Sequence, residues 1–265
     1  GEWVEQLVAE STGKQGRGIL PIASESAEPA ELELDAVDQV LWTLGTDSAS
    51  PKWDIRVEAE LGEAFLLWEY ATAMVGVIRE INPFDQPDVE SAKAAARSLL
   101  ESAPERGRPV SDSPGLRCWT GGFATSEHSL AGLWRALVAE LGPSGYLSVQ
   151  VYGNRLAIGP LEQWRNALVQ QLGRPVTIGF GPRFLHSTGQ FHKGGSPDGV
   201  FVQVEVESRQ DRSIPGYPYS FGTLIDAQSW GDRNVLVERG RPVLTVRIDE
   251  AGWNDIVEQF VGQAL

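Results

Sequence analysis

One cysteine, one methionine and three histidines are all that 265 residues supply of the softer and more easily titrated side chains. The lone Cys118 excludes an internal disulfide framework and suits a reducing cytosol. Its setting in the apolar run 116–119 reads as core in preference to a reactive thiol. No run of about 18 uninterrupted apolar residues occurs, so no membrane span is expected. The opening GEWVEQLVAEST lacks the basic start and apolar stretch of a secretion signal, and the expected location is cytoplasmic. Positive charge is scarce as well. With 22 Lys and Arg against 36 Asp and Glu, the net charge is −14. That disfavours nucleic acid as a partner, because its binding needs a cationic face. An anionic small substrate stays open, since a few basic side chains and helix N-termini make a local positive pocket. The acid is densest from Glu25 to Asp38, which reads as a solvated surface loop, with a partner-binding tail as the alternative.

What is present is a regular alternation. Trp3 to Ala9 reads as a helix stopped by Gly13, and Ile19–Ile22, Val40–Leu44 and Trp53–Ala59 as short strands. Leu61, Phe65, Trp68, Thr72, Val75 and Ile78 recur at three or four residues and predict a helix over 61–81, ended by Pro83. Asp85 caps a further helix to about Leu100, with Pro87 just inside it. Residues 102–115, SAPERGRPVSDSPG, read as a linker. Strands over 116–119, 146–152, 176–180, 200–206 and 243–248 then alternate with helices over 128–141, 161–172, 220–239 and 250–265. This pattern predicts an α/β fold, a three-layer sandwich of flavodoxin-like type with a mostly parallel sheet. The organisation expected is a first segment 1–104, a linker 105–115 and an α/β domain 116–265. The apolar face of the last helix (Trp253, Ile256, Phe260, Val261) serves a core, or alternatively a homodimer contact.

Three stretches offer chemistry. GFGPRFLHSTGQFHKGG (179–195) puts His186 and His192 in a glycine-rich loop beyond a strand's carboxyl end, where α/β sheets place their sites. Its glycines let backbone N–H groups approach an anion, and a neutral imidazole passes protons near neutrality. The two histidines lie six apart with no carboxylate or cysteine cluster beside them, which does not match a zinc site. A loop whose histidines merely bond backbone is the equal alternative. VAESTGKQGRG places Glu10 near a helix C-terminus, whose negative pole raises a carboxylate's pKa and suits a general base. An ordinary exposed glutamate fits that spacing better. INPFDQPDVESAK leads a turn into a helix N-terminus, a natural anion site, with Lys93 two turns on.

Taken together, these stretches resemble glucose-6-phosphate isomerases. The family pattern Phe-Asp-Gln-x-x-Val-Glu-x-x-Lys is met by Phe84, Asp85, Gln86, Val89, Glu90 and Lys93, with Asp88 where many members have glycine. AESTGK resembles the segment bearing the catalytic glutamate. Gly181, His186 and Gln190 match a histidine segment that here follows the Gln/Lys segment instead of preceding it. The resemblance implies the latter part of such an isomerase, of the kind fused to transaldolase in bacteria, without the family's first sugar-isomerase domain. The rest of that polypeptide is then a partner, and the chain alone is expected to turn over little. By resemblance Glu10 moves the proton between C2 and C1, His186 opens the ring with Lys93 assisting, and Gln86 holds the phosphate or sugar backbone. Arg183 and Lys193 are added as anion contacts, and surface charge is the equal alternative for both. No metal or organic cofactor is implied. A non-catalytic phosphosugar-binding or regulatory module on the same scaffold is the alternative function.

Overall fold

The computed structural model describes residues 1–24, 26, 29–34, 39–40, 42–44, 54–87, 100, 106–158, 161–208 and 210–262. The chain opens with α1 (Glu2–Thr12), a small parallel pair β1 (Trp42–Leu44) and β2 (Ile55–Val57), and α2 (Leu61–Arg79). There follow β3 (Ser111–Ser113), β4 (Leu116–Gly121), α3 (Leu130–Val138), β5 (Tyr146–Tyr152), α4 (Arg155–Ile158) and α5 (Glu162–Leu172). The remainder is β6 (Val176–Gly181), α6 (Gly189–Gly194), β7 (Gly199–Glu207), α7 (Phe221–Glu238), β8 (Val243–Asp249) and α8 (Trp253–Val261).

Six strands form one sheet in the order β3-β4-β8-β7-β5-β6. β6, β5, β7 and β8 pair in parallel, β4 runs antiparallel to β8, and β3 antiparallel to β4. The parallel part follows the flavodoxin-like order, and helices cover both faces, giving the expected three-layer α/β sandwich.

The two faces of the sheet differ sharply. Side chains alternate along a strand, so Leu147, Val149 and Val151 share a face with Val200, Val202, Val204, Leu244, Val246 and Ile248. That face is the main core, closed by Leu133, Trp134 and Leu137 of α3, Leu168 of α5, and Ile256 and Phe260 of α8. Each such aliphatic side chain stabilises the fold by roughly 1.5–3 kcal/mol. The Trp134 and Phe260 rings stack at 4.6 Å. Cys118 belongs here, its thiol pushed up to about 12 by burial, and is therefore inert core.

The opposite face is equally buried, apolar at one end, where Tyr146, Phe201 and Val243 pack with Phe191 and Leu236, and polar along the rest. Gln150, Gln203 and Thr245 lie in register, and Gln203 Nε2 donates to Gln150 Oε1 (3.0 Å) and to Asp232 Oδ2 of α7 (3.2 Å). Beside them Arg106 binds Glu205 (2.5 Å) and Asp226 (2.7 Å), while Arg247 binds Asp226 (2.9 Å) and Glu207. Arg106 also lies over the Trp230 ring at 4.7 Å.

Several expectations are corrected. Residues 106–115 are not a free linker. β3 pairs with β4, Val110 N–H donates to Cys118 O (2.8 Å), and Arg106 reaches the ionic network. Gly115, with φ of 76°, makes the turn that folds this short polar strand onto the sheet edge, where one side needs no apolar partner. Ile19–Ile22 is irregular chain, not a strand, because Ile19 N–H turns back to Thr12 Oγ1 (3.1 Å) at the end of α1. The glycine-rich loop is largely helical, with a 3-10 turn over Arg183–His186 followed by α6. α2 forms as expected and stops before Pro83, yet only Thr72 and Gly76 on it are buried. Contrary to the reading of the apolar runs, α2 is long and apolar enough to cross a membrane by length and composition alone. The helix expected from Asp85 lies outside the described residues from 88 to 99.

Candidate functional site

The three sequence stretches converge on Gly13 and Lys14. α1 ends at Thr12, whose hydroxyl donates to Val8 O (2.7 Å), and Gly13 caps the helix with its N–H to Ala9 O (3.0 Å). Gly13 O then accepts from Gln190 Nε2 of α6 at 2.8 Å, and Gly16 N–H donates to Gly194 O at 2.8 Å. This approach requires glycine at 13, since a Cβ there would lie 2.3 Å from the Phe191 Cα. The next residue, Lys14, is 1 % exposed and reaches the other motif. Its Nζ donates to Asn82 O (2.8 Å), to Asp85 Oδ1 (2.9 Å) and to Asp85 O. The Lys14 hydrogen bond holds the Asp85 carboxyl below the usual carboxylate range.

Around this junction the six candidate residues have different fates. Glu10 sits in the last turn of α1, half-buried, with Oε2 accepting from Gln6 Nε2 at 3.3 Å. Gln86 is exposed directly after Asp85. Lys93 lies outside the described residues. His186 is exposed at the end of its 3-10 turn, whereas His192 is buried inside α6. Tyr146 Oη lies 2.9 Å from His192 Nδ1 and Ser148 Oγ 3.2 Å from Nε2, so both ring nitrogens are occupied. Burial, then Lys193 and Arg241, hold that imidazole well below its ordinary pKa, hence neutral. Of the two histidines only His186 is available to a ligand.

Of the two further anion contacts suggested, Lys193 is buried and Arg183 is an exposed surface charge, and each already has a carboxylate partner. Lys193 is 2 % exposed, pairs with the buried Asp232 and donates to Gly189 O (3.2 Å). A buried ammonium needs such a partner, so α6 turns it inward to the carboxylate of α7. Arg183 forms a two-pronged bridge to Glu2, with Nη1–Oε1 2.9 Å and Nη2–Oε2 2.7 Å, which ties the start of α1 to the loop after β6. The same guanidinium holds Glu2 below the ordinary carboxylate range.

Lys14 is the residue that sequence reasoning missed. A lysine after Gly13 in a turn reads as solvated, and only its 68-residue reach to Asn82 shows its use. Among the described residues no group of three His, Cys, Asp or Glu is placed to hold a metal ion.

No family model and no curated protein matches the chain. Among solved structures, a hypothetical protein from Thermus thermophilus is similar at 14% identity, over 97% of this chain and 74% of that one, with a TM-score of 0.44.

Proposed function

We propose that this chain is the part of a glucose-6-phosphate isomerase-type enzyme that carries the base for proton transfer between C1 and C2 of a hexose 6-phosphate. The observation behind the reading is the junction at Gly13–Lys14. It joins the glutamate segment to the Phe-Asp-Gln turn and to the histidine loop, across 71 and 177 residues of sequence respectively. In this reading the Glu10 carboxylate takes the C2 proton of the open-chain aldose. The C1 oxygen is protonated as the cis-enediol forms. Glu10 then returns its proton to C1 as the C2 hydroxyl loses its own and becomes the carbonyl. His186, exposed beside the loop, opens the ring, and Lys93 meets the negative charge that develops on oxygen. Gln86 holds the sugar phosphate. Lys14 is a positioning residue that fixes the Asp85–Gln86 turn against α1. The chemistry uses no metal or organic cofactor, and the setting proposed is the cytosol.

Enolisation is separable from full turnover, which sets the test. The chain is incubated with fructose 6-phosphate in deuterium oxide, and exchange at C1 is followed by proton NMR alongside a binding titration. The expected result is slow exchange that Glu10→Gln lowers by about 10²-fold or more, with binding unchanged. Binding without any Glu10-dependent exchange would assign the non-catalytic phosphosugar module instead. Neither binding nor exchange would overturn both readings.

A further inference from the structure

A cavity of about 420 Å³ opens at the carboxyl ends of β5, β7 and β8, lined by Asn154, Ser208, Gln210, Arg212 and Glu250. Its position follows from the topology. From β5 the chain passes through α5 on the apolar face and returns as β6 on one side. From the adjacent β7 it passes through α7 on the polar face and returns as β8 on the other side. The two connections leave in opposite directions and part the chain between them. In doubly wound sheets such a switch point is where ligands sit. Asn154 lies two residues beyond β5, while Ser208 and Glu250 each directly follow their strands.

The loop carrying the cavity's cation is anchored by its own bonds. The Asp211 carboxylate accepts the N–H groups of Arg212 and Gly222, each at 2.8 Å, together with the Ser220 hydroxyl at the start of α7. Arg212 O accepts the N–H of Phe221 at 2.9 Å. Ser208 Oγ is engaged with the backbone of Gln210. The groups turned to the cavity are treated differently. Among the described residues, the Arg212 guanidinium, the Glu250 carboxylate and the Gln210 side-chain amide have no hydrogen-bond or ion-pair partner. Asn154 uses its Oδ1 on Leu156 N–H (3.1 Å) and keeps Nδ2 unspent. A cation and an anion thus line one cavity without neutralising each other, beside amides that both donate and accept.

We propose that this crevice binds a small polyhydroxylated anion. Arg212 takes the anionic group, Glu250 accepts from hydroxyls, and Asn154 and Gln210 donate to them. The volume is within the range of small-molecule sites, about 300–1,000 Å³. The site shares no residue with the Gly13–Lys14 junction and stands independently of the isomerase reading.

Ribose 5-phosphate is the probe, titrated into ¹⁵N-labelled protein, with ribose and inorganic phosphate as the separate halves. The expected result is saturable shifts of the Asn154 and Gln210 side-chain amides and weaker binding of either half alone. Arg212→Ala should weaken binding at least tenfold and Glu250→Gln several-fold, with circular dichroism unchanged because both side chains stand outside the core. Absence of saturable shifts, or Arg212→Ala binding as tightly as wild type, would overturn the proposal. So would shifts confined to Glu10–Lys14 and Gln86.

Discussion

His192 shows what burial does to a side chain that in sequence looks the equal of His186. The two lie six positions apart, and no local signal tells which turns inward. The answer depends on α6 laying one of them over Tyr146 and Ser148. The consequence is measurable as a pH dependence. In the fold this imidazole stays neutral well below its ordinary value, whereas in the unfolded chain it takes a proton near about pH 6.5. Below that value the unfolded state binds the extra proton, so stability falls with falling pH. By about pH 5.5 this one group accounts for a loss of about 1.4 kcal/mol relative to pH 8. Urea unfolding of wild type and His192→Gln at both pH values checks it. The variant should be weaker throughout but lack that increment, and an equal pH slope in the two proteins would contradict the assignment. Lys193 and Lys14 carry the same lesson. Both are lysines beside glycines, both are almost fully buried, and only the partners supplied by distant elements explain why.

At the scale of elements the sequence was largely readable. The strands over 146–152, 176–181, 199–207 and 243–249 lie within a residue of their expected bounds, because period-two patterns with β-branched side chains leave little choice. What resisted reading was structure made by pairing instead of by composition. Ser-Asp-Ser at 111–113 has no strand signature and becomes one only through β4. The docking of α1 on α6 was likewise invisible, since it rests on the missing side chain at Gly13 and the bond from Gln190. Gly13→Ala should force the two helices apart or displace Phe191, destabilising the protein by about 1–3 kcal/mol. Thermal unfolding would register this, and proteolysis should cut first within 13–18. Undiminished stability would mean that the contact is looser than the geometry states. Of the junction, the three stretches that meet there stand out in the sequence by their glycines and polar side chains. Which of their side chains stay open to solvent was not legible, because burial is decided by the elements they meet.

At the scale of the whole molecule, among the described residues, α2 leaves a large apolar surface uncovered. α2 is anchored along one edge by Trp3 against Phe65 (4.5 Å between rings) and Trp42 against Trp68 (4.3 Å). Its other side exposes Leu66, Leu67, Tyr70, Met74, Val77 and Ile78. A contiguous patch of this kind binds hydrophobic dyes and promotes association. Leu67→Lys with Met74→Lys should therefore reduce anilinonaphthalene sulfonate fluorescence and concentration-dependent light scattering, with the unfolding temperature nearly unchanged. If dye binding persists undiminished, the patch is already covered. The unlike faces of the central sheet have a consequence of another kind. Were β7 to slide by a single position against its neighbours, Gln203 and Glu205 would be driven in among Trp134 and Phe260. Val202 and Val204 would meanwhile land among the carboxylates and guanidiniums that Arg106 and Arg247 gather. Each slip by an odd number of positions thereby strands charge in hydrocarbon on one side and oil among ions on the other. The layers that cover the two faces check the alignment of the strand between them.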